Sequence, residues 1–208
     1  MCDKRKEQMR SLTIIISIVW LFASSMVTAQ EKNLLLDFNE SRLQHQKGAM
    51  VVLGSWAVGN IAVGSIWQSN ADGSQRYFHQ MNAGWNIVNL GIAALGWWSV
   101  SRIDASSLTL SESLKDFSTF QKSLLFNAGL DLGYVAGGFY LIERSKRSGI
   151  DRPERLRGFG DSIILQGAFL FAFDIVAYLT SMKYNSMIRP SLQLAPGGGA
   201  QVGMNWNF

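Results

Sequence analysis

Two aspartates, Asp131 and Asp174, stand in stretches of sequence that are otherwise apolar. Asp131 follows Asn127 by four positions in the string FNAGLD, and Asn86 follows Asn82 by four positions in the string MNAGWN. Residues four apart lie on the same face of a helix, so each string predicts a pair of polar side chains that point in one direction. The shared Asn-Ala-Gly indicates an internal repeat.

An ionisable side chain at the centre of an apolar helix costs about 2.5 to 3.5 kcal/mol on insertion scales, so it is expected to face other helices. The same stretches contain no Lys or Arg that could neutralise Asp131 or Asp174. Each acid is therefore expected to be protonated, hydrogen-bonded to a neighbour such as Asn86 or Asn127, or paired with a bound cation. Two carboxyl groups close together would share a proton. The predicted polar cluster contains Asp131, Asp174, Asn60, Asn86 and Asn127, with Asn82, Asn89, Tyr134 and Gln166 near it.

This cluster has two interpretations. Hydrogen bonds among its amides can join helices structurally, at about 0.6 to 2 kcal/mol per contact. The same residues can form a site for a proton, a small cation or a polar solute, and the acids favour this because a structural contact needs no ionisable group. The first interpretation is a non-enzymatic membrane subunit or scaffold with an Asn/Asp core. The alternative is a small transporter, or a proton- or cation-handling protein, that uses Asp131 and Asp174.

Other kinds of chemistry have little support in the sequence. The histidines, His45 and His79, fall on opposite sides of the topology described below, and the single cysteine, Cys2, precedes an apolar leader. Neither a phosphate-binding GxxxxGK[ST] loop nor a GxSxG elbow occurs. We therefore expect no catalytic residues, no metal site and no cofactor. A third and weaker interpretation is an enzyme that acts on lipid, but the sequence contains no catalytic constellation for it. The net charge of +4 includes +2 from residues 1–29 (four Lys or Arg against two Asp or Glu), so it gives little support to nucleic-acid binding.

The elements that position these residues begin with a leader in residues 1–29. A basic start is followed by the apolar stretch SLTIIISIVWLFASSM and by Val27-Thr28-Ala29, which fits a small-residue cleavage site. This pattern predicts a signal peptide that is removed before Gln30. The alternative is an anchor helix that stays attached.

Four apolar runs follow, each close to the roughly twenty residues that a membrane-spanning helix needs. They lack Lys and Arg and are rich in Gly and Ala, which suits close helix packing in lipid. Gly133, Gly137 and Gly138 are a candidate seam for such packing. The predicted fold class is an all-α membrane protein, a bundle of four transmembrane helices after a signal peptide, with spans at about 48–67, 80–100, 123–142 and 162–182.

Charge outside these runs predicts their orientation. Residues 143–161 contain six Lys or Arg, which places this loop in the cytoplasm and both the mature N-terminus and the C-terminus outside. Residues 30–47 and the stretch LTLSESLKDFSTF are amphipathic, the latter with Thr109 and Glu112 as a capping box. Both are expected along the outer membrane surface. The expected partners are the lipid bilayer and either another membrane protein or a second copy of the chain, with no nucleic acid.

The C-terminal residues, 183–208, have a different pattern. Polar and apolar residues alternate on both sides of PGGG, and Val202, Met204, Trp206 and Phe208 share one face at a spacing of two. This predicts a short β-hairpin-like tail on the outer side. A terminal Phe is similar to the closing strand of outer-membrane barrels, but the sequence has no other run of alternating strands that would support a barrel. The bacterial inner membrane is therefore the expected location, and the outer membrane is the alternative.

A leader that ends in TAQ, four Gly- and Asn-rich spans and a strand-like tail together resemble the small multi-pass helical membrane proteins of Bacteroidota type. The resemblance covers most of the chain. It implies an uncharacterised family without assigned activity, and it assigns no functional residue.

Overall fold

The computed structural model describes residues 2–187, 189–194 and 200–205, with side chains described from 32 to 187. It is a bundle of four long helices, which confirms the predicted helical fold class. Two short 3₁₀ helices, Ala105–Ser107 and Met182–Ser186, flank the third and fourth helices. The four helices are α1 (Cys2–Trp67), α2 (Gly73–Ser101), α3 (Leu110–Ser145) and α4 (Pro153–Ser181).

Helix α1 joins the leader, the outer segment 30–47 and the first apolar run into one helix of 66 residues. At 1.5 Å per residue this is about 100 Å, far longer than a bilayer is thick. No proline interrupts residues 2–67, so nothing in the backbone chemistry ends the helix earlier. The helix therefore extends beyond the predicted span 48–67 on its N-terminal side, and cleavage before Gln30 stays a prediction.

Helix α3 also includes most of the segment LTLSESLKDFSTF, which was predicted to lie along the membrane surface. The capping box is confirmed, because the backbone nitrogen of Thr109 donates to Glu112 Oε2 at 2.9 Å and the backbone nitrogen of Glu112 donates to Thr109 Oγ1 at 3.3 Å. The apolar side chains of this segment pack on α1 and on the 3₁₀ helix Met182–Ser186, in a core formed by Phe38, Phe117 and Tyr184. We call this core the outer cap, after the side on which the charge pattern of the sequence predicts it.

The connection between α3 and α4 is shorter than the predicted loop 143–161. Helix α3 continues to Ser145, and α4 begins at Pro153, the first-turn position that proline suits. Arg144, Arg155 and Arg157 therefore lie on helices, and residues 146–152 alone form the turn.

The helices pack in three extensive pairs, α1 with α2, α3 with α4, and α2 with α4. Helices α2 and α3 form no such pair, which leaves space between them. The close contacts of Gly138 with Gly160 and of Gly167 with Asp131 show that α3 and α4 run antiparallel.

The distribution of polar and apolar residues is the reverse of the distribution in a soluble bundle, because polar side chains are buried and apolar side chains are exposed. In the middle of the helices the buried side chains are mostly amides, acids, serines and alanines, including Asn82, Asn86 and Gln166. The exposed ones include Val51, Ile87, Leu95, Phe126, Leu132, Phe139, Val176 and Leu179. Such an apolar surface is expected for a protein that is surrounded by lipid.

Three helical segments are long and apolar enough to cross a membrane: Lys32–Trp67, Leu110–Ser145 and Pro153–Ser186. The predicted span 80–100 forms α2 but is not among them. Three asparagines, Asn82, Asn86 and Asn89, lower its mean hydropathy. Among the residues that the structure describes, three of the four predicted spans are therefore found by composition.

Residues after α4 begin with the 3₁₀ helix Met182–Ser186, which places Tyr184 in the outer cap and so differs from the strand-like tail predicted from 183 onward. Two strands follow, β1 (Arg189–Leu194) and β2 (Ala200–Asn205), paired antiparallel with Leu192 opposite Val202. The PGGG stretch and the predicted terminal residues Trp206 and Phe208 lie outside the described residues.

Candidate functional site

A network of side-chain amides joins three helices at the centre of the bundle. Gln166 of α4 is fully buried; its Nε2 donates to Asn82 Oδ1 on α2, and its Oε1 accepts from Trp56 Nε1 on α1 at 3.0 Å. Asn82 Nδ2 in turn donates to Asn60 Oδ1 on α1 at 2.8 Å. We call these four residues and the asparagines described next the amide network.

The remaining donors of the network are also satisfied. Asn60 Nδ2 donates to the carbonyl oxygen of Trp56 at 2.8 Å, and Asn86 Nδ2 donates to the carbonyl oxygen of Asn82 at 2.8 Å. Asn89 Nδ2 makes a longer bond of 3.4 Å to Asn86 Oδ1. Buried amides that all find partners stabilise helix packing, because an unpaired one would carry the full cost of its desolvation.

Beside this network lie two buried carboxyl groups. The side chains of Asp131 on α3 and Asp174 on α4 are 3% and 5% exposed. Helical side chains tilt toward the N-terminus of their own helix, so on antiparallel helices these two tilt toward each other. Both side chains line the same cavity, and two carboxyl groups close together share a proton. Within the described residues, Asp131 Oδ2 is buried and has no hydrogen-bond donor.

Small residues allow this approach. A Cβ on Gly167 would lie 2.9 Å from the carbonyl oxygen of Asp131 and 3.0 Å from Val135 Cγ2, so α4 meets the α3 backbone here without a side chain between them. Close backbone approach at small residues is the usual basis of helix packing in membranes. Of the seam predicted on α3, Gly138 is in contact with α4, whereas Gly133 and Gly137 face open space.

The carboxyl pair opens into a cavity of about 420 Å³. It lies between α2 and α3, with α4 at its base and the α1 residues Met50 and Leu53 at one side. Its wall is largely apolar and aromatic. Besides the two acids, its lining includes Asn89, Asn127, Ser123, Trp85, Tyr134, Phe120 and Phe173.

The structure therefore divides the predicted cluster into two adjoining groups. Five of the nine predicted residues line the cavity, namely Asp131, Asp174, Asn89, Asn127 and Tyr134. The other four, Asn60, Asn82, Asn86 and Gln166, belong to the amide network alone, and Asn89 belongs to both groups. Within the described residues, Asp131 Oδ2 has no hydrogen-bond partner, so the amide option among the three states expected for that acid is not found at this atom.

Two participating tryptophans were not predicted. Trp56 donates into the amide network, and its ring stacks on Phe169 with centroids 3.8 Å apart. Trp85 lies at the cavity wall, edge-to-face with Tyr134 at 4.9 Å. Helical spacing alone could have found Trp85, because it lies between Asn82 and Asn89 on the cavity side of α2; nothing in the sequence ties Trp56 to Gln166, 110 residues away.

One further charge is buried in the outer cap. Arg42 is 1% exposed; its Nε donates to Asn39 Oδ1 at 3.0 Å, and its Nη2 lies 3.9 Å from Asp116 Oδ2. Burial lowers the pKa of the Arg42 guanidinium, and the charge of Asp116 partly opposes this effect. Asn39 also donates to the carbonyl oxygen of Ala105 at 3.2 Å, so this cluster joins α1 to the 3₁₀ turn before α3.

Among residues whose side chains are described, no group of three or more His, Cys, Asp or Glu lies together in a way that could hold a metal ion. The acid pair is thus a two-carboxyl site with amide, hydroxyl and aromatic neighbours.

Comparison with known proteins gives one match. A family model described as a family of unknown function matches residues 52–175. This range contains all nine candidate residues and excludes the outer-cap residues Phe38, Arg42 and Tyr184. No curated protein and no solved structure matches the chain.

Proposed function

The chain belongs to the DUF6992 family of unknown function, and we propose that it is an integral membrane protein that binds a proton or a cation at the Asp131–Asp174 pair. The observation that carries this proposal is the unpartnered Asp131 Oδ2, which is buried beside a second carboxyl at a cavity. A structural contact would satisfy such an atom, whereas a binding site keeps it available.

Membrane insertion is supported by the reversed distribution of polar residues. Helix α2 has the same distribution as its neighbours, with Asn82 and Asn86 buried and with Ile87, Val88 and Leu95 exposed. Because its asparagines face protein rather than lipid, its low hydropathy does not count against insertion. We therefore propose four spans, with a cleaved leader, the 146–152 turn in the cytoplasm and the outer cap and both mature termini outside, in a bacterial inner membrane.

The two polar groups differ in what they need. The amide network satisfies its own donors and has no ionisable member, so its hydrogen bonds stabilise the packing of α1, α2 and α4. The carboxyl pair contributes no comparable contact, and an acid at this depth costs several kcal/mol unless it is protonated or paired. Function is thus assigned to the acids and stability to the amides.

The second candidate function is a membrane subunit or scaffold without a ligand. The observation that favours it is the same amide network, since a self-satisfied core is what a purely structural bundle requires. Under this alternative the acids share one proton permanently, and their replacement by amides leaves behaviour unchanged.

Proton flux in liposomes tests the proposal. The purified protein is reconstituted with an internal pH-sensitive dye, and a potential is imposed with potassium and valinomycin. We expect wild-type flux above that of empty liposomes and loss of that flux in Asp131→Asn and in Asp174→Asn. The matched control is Asp72→Asn, an exposed aspartate before α2.

Thermal melting in detergent accompanies each variant, so that a folding defect is not read as lost flux. Flux that is equal in wild type, both acid variants and the control would overturn the proposal in favour of the scaffold.

A further inference from the structure

We infer that the ligand of the cavity is a lipophilic organic cation, with its charge at the Asp131–Asp174 pair and its apolar body against the aromatic wall. This inference rests on the proposed function and specifies the class of cation.

The size of the cavity indicates a ligand larger than a proton. Binding a proton requires a carboxyl group but no space, whereas the cavity measures about 420 Å³. That volume falls within the roughly 300 to 1,000 Å³ of sites for small organic molecules. A cavity of this size beside a buried acid pair fits a ligand with several carbon atoms.

The charged groups that line the cavity indicate that the ligand carries a positive charge. The lining contains two carboxyl groups and, among the described residues, no Lys or Arg. Asp131 Oδ2, with no donor of its own, is the atom placed to receive a positive group. An anion would meet uncompensated repulsion here, and a neutral solute would leave the acids unpaired.

The wall favours an organic cation over a metal ion. Calcium takes six to eight oxygen ligands and magnesium six, whereas no third acid joins Asp131 and Asp174 among the described side chains. Four aromatic rings line the cavity instead: Trp85, Tyr134, Phe120 and Phe173. Aromatic faces attract organic cations electrostatically, and the ring of Trp attracts them most strongly.

Access is consistent with a lipophilic ligand. The cavity lies between α2 and α3, which form no extensive pair and meet at the Trp85–Tyr134 contact. The exposed residues around this gap include Val88, Ile92 and Leu130, so a ligand dissolved in lipid reaches the acids without crossing a polar surface.

The test uses two probes of matched shape, tetraphenylphosphonium (cation) and tetraphenylborate (anion), with the purified protein in detergent and equilibrium dialysis as the readout. We expect the cation to bind and the anion not to bind. Asp131→Asn combined with Asp174→Asn should weaken cation binding at least about thirtyfold. Trp85→Ala should weaken it about three- to thirtyfold.

The matched control is Trp97→Ala, an exposed tryptophan on the same helix that does not line the cavity, which should bind as wild type does. Melting temperatures verify that each variant is folded. Equal binding of both probes, or loss of binding in Trp97→Ala as large as in Trp85→Ala, overturns the inference.

Failure here is distinguishable from failure of the proposed function. If tetraphenylphosphonium does not bind but proton flux still depends on Asp131, the site handles protons alone and the organic-cation inference is wrong. If neither binding nor flux depends on the acids, both proposals are wrong.

Discussion

Gly138 of α3 and Gly160 of α4 lie directly against each other. A Cβ on Gly138 would lie 2.8 Å from the carbonyl oxygen of Gly160, and a Cβ on Gly160 would lie 2.7 Å from the carbonyl oxygen of Gly138. Two turns along α4, Gly167 makes the same kind of contact with the backbone of Asp131. The absence of side chains at these glycines therefore sets the α3–α4 distance at which Asp131 meets Asp174.

The first prediction concerns this contact. Gly160→Ala should destabilise the protein by about 1 to 3 kcal/mol, because the new methyl group overpacks against the α3 backbone. Gly137→Ala is the matched control, since a Cβ there meets nothing within 4 Å. The control should be neutral or gain up to about 1 kcal/mol from the better helix propensity of Ala. Melting in detergent measures both; equal melting temperatures would contradict the proposed seam.

The second prediction concerns the amide network. Gln166→Leu removes the acceptor of Trp56 Nε1 and the donor to Asn82 Oδ1, leaving two buried polar atoms without partners. Each unsatisfied atom costs about 1 to 3 kcal/mol, so the melting temperature should fall clearly. Asn127→Ala alters an exposed amide and should melt as wild type does. Wild-type stability of Gln166→Leu would show that the network contributes no net stability.

The third prediction concerns the outer cap. Arg42 is buried with one good hydrogen bond and a 3.9 Å approach to Asp116, so its desolvation is poorly compensated. Replacing a buried ion with an apolar side chain of similar volume is often neutral or stabilising, so Arg42→Met should keep or raise the melting temperature. Asn39→Ala should lower it, because Arg42 Nε and the carbonyl oxygen of Ala105 both lose their partner. The opposite order of the two variants would refute this account.

The fourth prediction concerns pH and the start of α3. Hydrogen bonds from the backbone N–H and hydroxyl of Thr109 lower the pKa of Glu112 below its usual value. A group with a lowered folded-state pKa contributes stability above its unfolded pKa and loses it as pH falls through the folded value. Glu112→Gln should therefore melt below wild type at pH 7, and the difference should shrink as the pH falls below about 4.3, the ordinary pKa of Glu. Glu40→Gln, at an exposed position on α1, is the matched control, and a loss of melting temperature at pH 7 as large as that of Glu112→Gln would contradict the prediction.

Much of the bundle was predictable from local pattern. Apolar runs of about twenty residues predicted a helix within each of α1 to α4, although these helices extend beyond the runs, and the Thr109–Glu112 box predicted where α3 begins. Helical spacing also predicted that Asn86 and Asp131 turn inward, as both do. These features depend on residues within one or two turns of each other, and such information is contained in a single stretch of sequence.

The helix pairs were not predictable in this way, and they decide what each polar residue does. Asn82 and Asn127 begin identical Asn-Ala-Gly strings, yet Asn82 is 2% exposed within the amide network and Asn127 faces the cavity. Helix α2 packs against both α1 and α4, whereas α3 packs extensively against α4 alone. The same helix face therefore meets amide partners in α2 and open space in α3. The sequence determined which helix faces carry polar side chains, but only the tertiary packing decided which of these side chains are buried and what they meet, because those partners lie on helices distant in the chain.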